Sequence, residues 1–149
     1  MGYMFSSSTV TTLDLSHFNT KNVTDMRYMF NYCFDLQNIS LNNFNTANVI
    51  FMRGMFYGCY NLQSLDVSSF ETNKTTDMAS MFSSCSKLPI LDIRNFNVAN
   101  VLETNGMFSS LGSMANSKPI SVKVTKATYD ILSTKSTGIN EDYAKYVIE

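Results

Sequence analysis

Tryptophan is absent from the 149 residues, and there are one histidine, two prolines and three cysteines. A single His and an odd number of Cys leave little material for a metal centre, a His-dependent catalytic pair or a disulfide framework. Charge is scarce as well. Eleven Lys and Arg face twelve Asp and Glu, a net charge of −1, so no basic excess exists to pair with the phosphates of nucleic acid or of an anionic membrane. No apolar run approaches the roughly 20 residues of a membrane-spanning helix. The opening residues show no basic n-region and no apolar h-region, hence no signal peptide in this chain. These shortages weigh against an enzyme, a cofactor and a metal, and against nucleic acid and membrane insertion.

What the chain has is a repeat. LDLSHFNTKNVTDMRYMFNYCFDLQN begins at Leu13, and related stretches begin at Ile39, Leu65 and Leu91, 26 residues apart each time. Leu15, Leu41, Val67 and Ile93 share one column, and Phe18, Phe44, Phe70 and Phe96 another. Met29, Met55, Met81 and Met107 form a third, and Phe30, Phe56, Phe82 and Phe108 a fourth. Self-similarity at such a period marks units that bury their apolar faces only by stacking. Met1 to Phe5 matches Met26 to Phe30, so residues 1–12 read as a partial repeat, a truncated N-terminal end whose stacking face would be open. Four repeats follow at 13–38, 39–64, 65–90 and 91–117, and 118–149 reads as a C-terminal capping unit, all in one domain.

Two periods alternate within each repeat. Leu13-Asp14-Leu15-Ser16 and its copies alternate as half-buried strands do. Met26, Met29, Phe30 and Cys33 stand at i, i+3, i+4 and i+7 and predict a short helix, with Thr24 and Thr76 as N-caps and Asp25 and Asp77 at the positive end of its dipole. The expected fold is α/β: a right-handed solenoid, a parallel sheet on one face and short helical turns on the other. For the cap, Ile120 to Val124 predicts a strand, Lys126 to Ser133 a helix capped by Thr125, and Tyr143 to Ile148 a closing strand. Charge gathers there, at Lys123, Lys126, Asp130, Lys135, Glu141, Asp142 and Lys145.

The run L-D-x-S-x-F-x-T-x-x-V-T-x-M-x-x-M-F-x-x-C-x-x-L, present as Leu13 to Leu36, resembles the BspA-like leucine-rich-repeat family of microbial surface proteins. Residues 1–117 carry the resemblance. Thr104 departs from the Met column of Met26, Met52 and Met78, and Leu111 departs from the Cys column. The resemblance implies an extracellular or cell-surface protein, secreted or anchored, that works in adhesion to host or partner molecules. It carries over no defined ligand and no catalytic residue.

Cys33, Cys59 and Cys85 share a column and read as stacked, reduced, buried thiols, with a reactive or redox role as the competing reading. His17 reads as a surface or turn residue. Two surfaces invite a binding role. The first is the outward sheet face of Asp14, Ser16, Ser40, Asn42, Asp66, Ser68, Asp92 and Arg94, where Asp66 and Asp92 would stand one rung apart. The second is an aromatic patch of Tyr28, Tyr32, Phe34, Phe51, Tyr57 and Tyr60 on the helical side. The expected function is a non-enzymatic module that binds an extracellular or host-surface protein or glycan. A structural spacer that self-associates through the open N-terminal edge is the alternative.

Overall fold

The computed structural model describes residues 1–112, 119–139 and 144–149. Its elements are β1 (Thr12–Asp14), β2 (Asn38–Ser40), β3 (Ile90–Asp92), β4 (Ile120–Val124), α1 (Lys126–Leu132) and β5 (Ala144–Ile148). β1 pairs in parallel with β2, placing Leu13 opposite Ile39, residues in the same column of successive repeats. A second parallel sheet has the order β3-β4-β5 and joins the fourth repeat to the C-terminal unit. The third copy of the strand motif, Leu65 to Ser68, forms no strand. The second and third strand motifs are joined by a single backbone bond just ahead of them, from the Gln63 N–H to the Gln37 carbonyl (3.0 Å).

The other side of each repeat departs from expectation. Met26 to Cys33 is not a helix but two consecutive β-turns. The Met29 N–H donates to the Met26 carbonyl and the Cys33 N–H to the Phe30 carbonyl, each closing a four-residue turn. Tyr28 and Tyr32, the third residues of these turns, have φ of 55° and 56°, which makes the turns type II. Two four-residue turns in succession reproduce the i, i+3, i+4, i+7 spacing, so the apolar pattern alone could not separate them from a helix. Thr24 and Thr76 therefore cap nothing. Asp25 and Asp77 instead accept from the backbone N–H of Arg27 and Ala79 through Oδ1.

The turns leave half of their peptide groups free for the next repeat. The N–H groups of Met26, Tyr28, Phe30 and Tyr32 donate to the carbonyls of Phe51, Arg53, Met55 and Tyr57, at 2.7–3.0 Å. The same four bonds recur from Met52, Gly54, Phe56 and Gly58, and again from Met78, Ser80, Phe82 and Ser84. Parallel bridges Asp25–Phe51, Phe51–Asp77 and Asp77–Glu103 continue this ladder across all four repeats.

Inside lie the columns read from the sequence. Met29, Met55, Met81 and Met107 are fully buried, as are Phe30, Phe56, Phe82 and Phe108. The rings of that Phe column stack at 5.4, 5.9 and 6.2 Å, and Phe5 extends the stack at 5.7 Å from Phe30. Aromatic burial of this size dominates core energetics. The C-terminal unit takes up the donors of the fourth repeat: Gly106 donates to the Ser136 carbonyl, Phe108 to that of Thr137 and Ile93 to that of Lys123. α1 starts at the N-cap Thr125, whose side chain accepts from the Thr128 N–H, and Thr128 Oγ1 donates back to the Phe96 carbonyl. The expected boundary at 117/118 and residues Glu141, Asp142 and Tyr143 lie outside the described residues. No helix among the described residues is long and apolar enough to cross a membrane.

Candidate functional site

On the sheet side the acidic column serves the backbone first. Asp14 Oδ1 accepts from the Ser16 N–H (2.9 Å), Asp66 Oδ1 from Ser68 (2.9 Å) and Asp92 Oδ1 from Arg94 (3.2 Å). Each carboxylate thus holds an Asx-type turn where the chain leaves the strand position, the local chemistry these residues favour. Their carboxyls are held below the ordinary value. The backbone N–H of Ser16 is the chief cause for Asp14, the Ser68 side chain for Asp66 and the Arg94 guanidinium for Asp92. The like charge of Asp92 does raise Asp66, but it is the weakest of the four influences there. Arg94 also bonds Glu149 (2.8 Å), which in turn meets Lys123 (2.8 Å).

Of the eight residues expected on this face, the structure brings four together. Asp66, Ser68, Asp92 and Arg94 line one open groove of about 430 Å³ with Leu65, Val67 and Asn95. Asp14, Ser16, Ser40 and Asn42 belong to the first two repeats and take no part in it.

The turn side carries the aromatic residues, which divide into two sets. Tyr28, Phe51 and Tyr57 are half-buried. Tyr28 stacks on Tyr3 (5.0 Å), and the Arg27 guanidinium lies over the Phe51 ring at 4.9 Å. Tyr57 meets Tyr32 edge-on at 5.0 Å. Tyr32, Phe34 and Tyr60 are exposed, at 37, 46 and 38%. Phe34 lies 5.4 Å from each of the other two, tilted against Tyr32 and parallel to Tyr60. Glycines make room for the rings: a Cβ on Gly54 would clash with Cε1 and Cδ1 of Tyr28, and one on Gly58 would stand 2.8 Å from Tyr32 Cδ1. Tyr3, 60% exposed, belongs to this surface and was missed as a site residue. The match of Met1 to Phe5 with Met26 to Phe30 already put it in the column of Tyr28.

The thiols point inward. Cys33, Cys59 and Cys85 are buried and reduced, each donating to a carbonyl of the preceding repeat: Phe5, Phe30 and Phe56 respectively. Burial pushes all three thiols up, Cys85 to about 12, away from the reactive thiolate. His17 is exposed. Among the described residues no group of three or more His, Cys, Asp or Glu is placed to hold a metal ion.

Successive 26-residue units, bonded column to column, define a repeat protein. The chain belongs to the family described as "Mycoplasma protein of unknown function, DUF285", whose model matches residues 1–129. No curated protein and no solved structure matches the chain.

Proposed function

We propose that this chain is a stretch of a right-handed leucine-rich-repeat solenoid of the BspA-like surface type. It works outside the cell or at its surface, binding a protein or glycan by contact and carrying out no chemistry. The exposed aromatic set is the observation behind the binding role. Of eleven phenylalanines Phe34 alone is exposed, and it sits between two exposed tyrosines. Clustered exposed aromatics are costly to leave in water and are enriched where partners dock. Beside the rings stand Asn61, whose Nδ2 donates to the Phe34 carbonyl, and the exposed Asp35 and Lys87 of the same column, so rigid aromatic faces are bordered by groups able to hydrogen-bond a polar partner. The sheet-face carboxylates, already engaged in turns, are the weaker claimant.

Binding to an array of extracellular-matrix proteins and glycans tests this, with two triple variants beside the wild type. Tyr32→Ser, Phe34→Ser and Tyr60→Ser together should abolish or weaken binding at least tenfold without loss of the folded state. Asp14→Asn, Asp66→Asn and Asp92→Asn keep an oxygen acceptor for each turn and should leave binding intact. The reverse pattern would move the site to the sheet face, and no binding by folded wild type would overturn the adhesive reading. A thiol reagent should label the native protein slowly and the denatured protein fast. Rapid native labelling would instead revive a redox role for the cysteine column.

A further inference from the structure

One column of the sheet side contains Leu15, Leu41, Val67 and Ile93. The two outer members are paired: the Leu15 N–H donates to the Ser40 carbonyl (3.3 Å) and the Ile93 N–H to the Lys123 carbonyl (3.0 Å). The two inner members are not. Among the described residues no hydrogen bond runs from the N–H of Leu41 or Val67, although both residues are buried. No backbone–backbone bond joins Ser64–Val67 to either neighbouring repeat. Between repeats three and four the sheet side is held instead by Asn95 Nδ2, which donates to the carbonyls of Val67, Ser68 and Phe70.

Toward the fourth strand, the cause lies four residues upstream in the repeat. Gln37 donates its N–H to the Thr11 carbonyl and Gln63 to that of Gln37, but the next member is Pro89, which has no N–H. The ladder therefore stops at the Gln63 carbonyl, where the fourth strand ought to dock. Open grooves of about 430 and 240 Å³ lie along this segment, and both are bordered by Leu65 and Asp66. The turn side is intact at the same two interfaces, with four bonds of 2.8–3.0 Å across each.

We propose that the array is hinged at its third repeat. The turn-side ladder is the axis, the sheet side opens and closes about it at Ser64–Val67, and Pro89 keeps the segment unlatched. The device is a property of the backbone and stands whether or not either face binds a partner. Val67 borders the larger groove, and an N–H bonded to no acceptor is reached by water without unfolding, whereas ladder amides wait for a larger opening.

Amide hydrogen exchange on the full chain, read residue by residue by NMR, tests the hinge within one column. Leu41 and Val67 should exchange at least tenfold faster than Leu15 and Ile93, while the turn-side amides of Phe56 and Phe82 stay protected. Pro89→Gln, which restores the residue of the preceding repeats, should slow Val67 at least tenfold and leave Phe56 and Phe82 unchanged. Equal protection of all four column members in the wild type would overturn the hinge. An open Val67 in a folded Pro89→Gln protein would overturn the role of proline. Should that variant not fold, the wild-type comparison still decides the hinge.

Discussion

Thr46 does with one hydroxyl what a strand pair does with peptide groups. Its Oγ1 donates to the Glu71 carbonyl (3.0 Å) and accepts from the Glu71 N–H (2.7 Å) of the following repeat. Thr20 treats Asn45 in the same way, and Thr72 treats Asn97, so three buried hydroxyls latch four repeats. The fourth member of the column is Val98, beside which no fifth repeat offers a partner. A buried hydroxyl there would cost free energy with nothing to offset it. Thr46→Val keeps the shape and strands both Glu71 groups, so it should cost about 1–3 kcal/mol. Urea unfolding checks this through a lower midpoint at constant slope, with Thr46→Ser as the variant that retains the latch. A Val variant as stable as the wild type would show the latch to be idle.

The paired turns govern the next scale, because their positive-φ positions decide which side chains cover which. Tyr28 lies over Gly54 and Tyr32 over Gly58, whereas Ser80 and Ser84 occupy the same conformation in the third repeat, with no ring from Gly54 or Gly58 above them. Gly54→Ser should therefore destabilise, since its Cβ meets the Tyr28 ring. Adding Tyr28→Ser should return most of the loss, because the pair then repeats what positions 54 and 80 already tolerate. Thermal melts of the two singles and the double test this, and simple additivity would refute the coupling. The same turns mark the limit of reading the sequence. The Met and Phe columns and the Thr125 cap could be read directly, because burial at a fixed period and a capping side chain leave local signatures. The helix over Met26 to Cys33 could not be separated from turns by apolar spacing. The better signal was chemical: Gly54 and Gly58, four residues apart, stand where a helix would have no use for glycine. The opening at Leu65 to Ser68 was hidden too, because Pro89 stands at the far end of the same repeat and leaves the local alternation of that segment intact.

For the whole molecule, acid is the informative stress. Asp14, Asp25, Asp66 and Asp92 all sit below their ordinary value of 3.8, Asp25 chiefly through the Arg27 guanidinium at 2.6 Å. A carboxyl that binds its proton less readily folded than unfolded stabilises the fold while ionised. That contribution is whole above the ordinary value and fades as pH falls through the lower folded one. Stability should therefore hold from neutral pH to about 5 and decline below about 4, in several small steps since these groups are largely exposed. Unfolding midpoints across that range, with Asp25→Asn and Asp92→Asn showing a shallower decline, check the sign. A midpoint that rises on acidification would contradict it.

The turn-side ladder has one more property. Within the paired turns, the N–H groups of Met26, Tyr28, Phe30 and Tyr32 and of their copies all point toward the following repeat, and the carbonyls that accept them point back. Each unit therefore offers the same donors ahead and the same acceptors behind. A gene that loses or duplicates a copy in register, joining Asn38 directly to Leu65 for example, brings together surfaces that were already mates. Array length can thus be inherited as a variable, altered by recombination in whole repeats while the rules of assembly stay fixed.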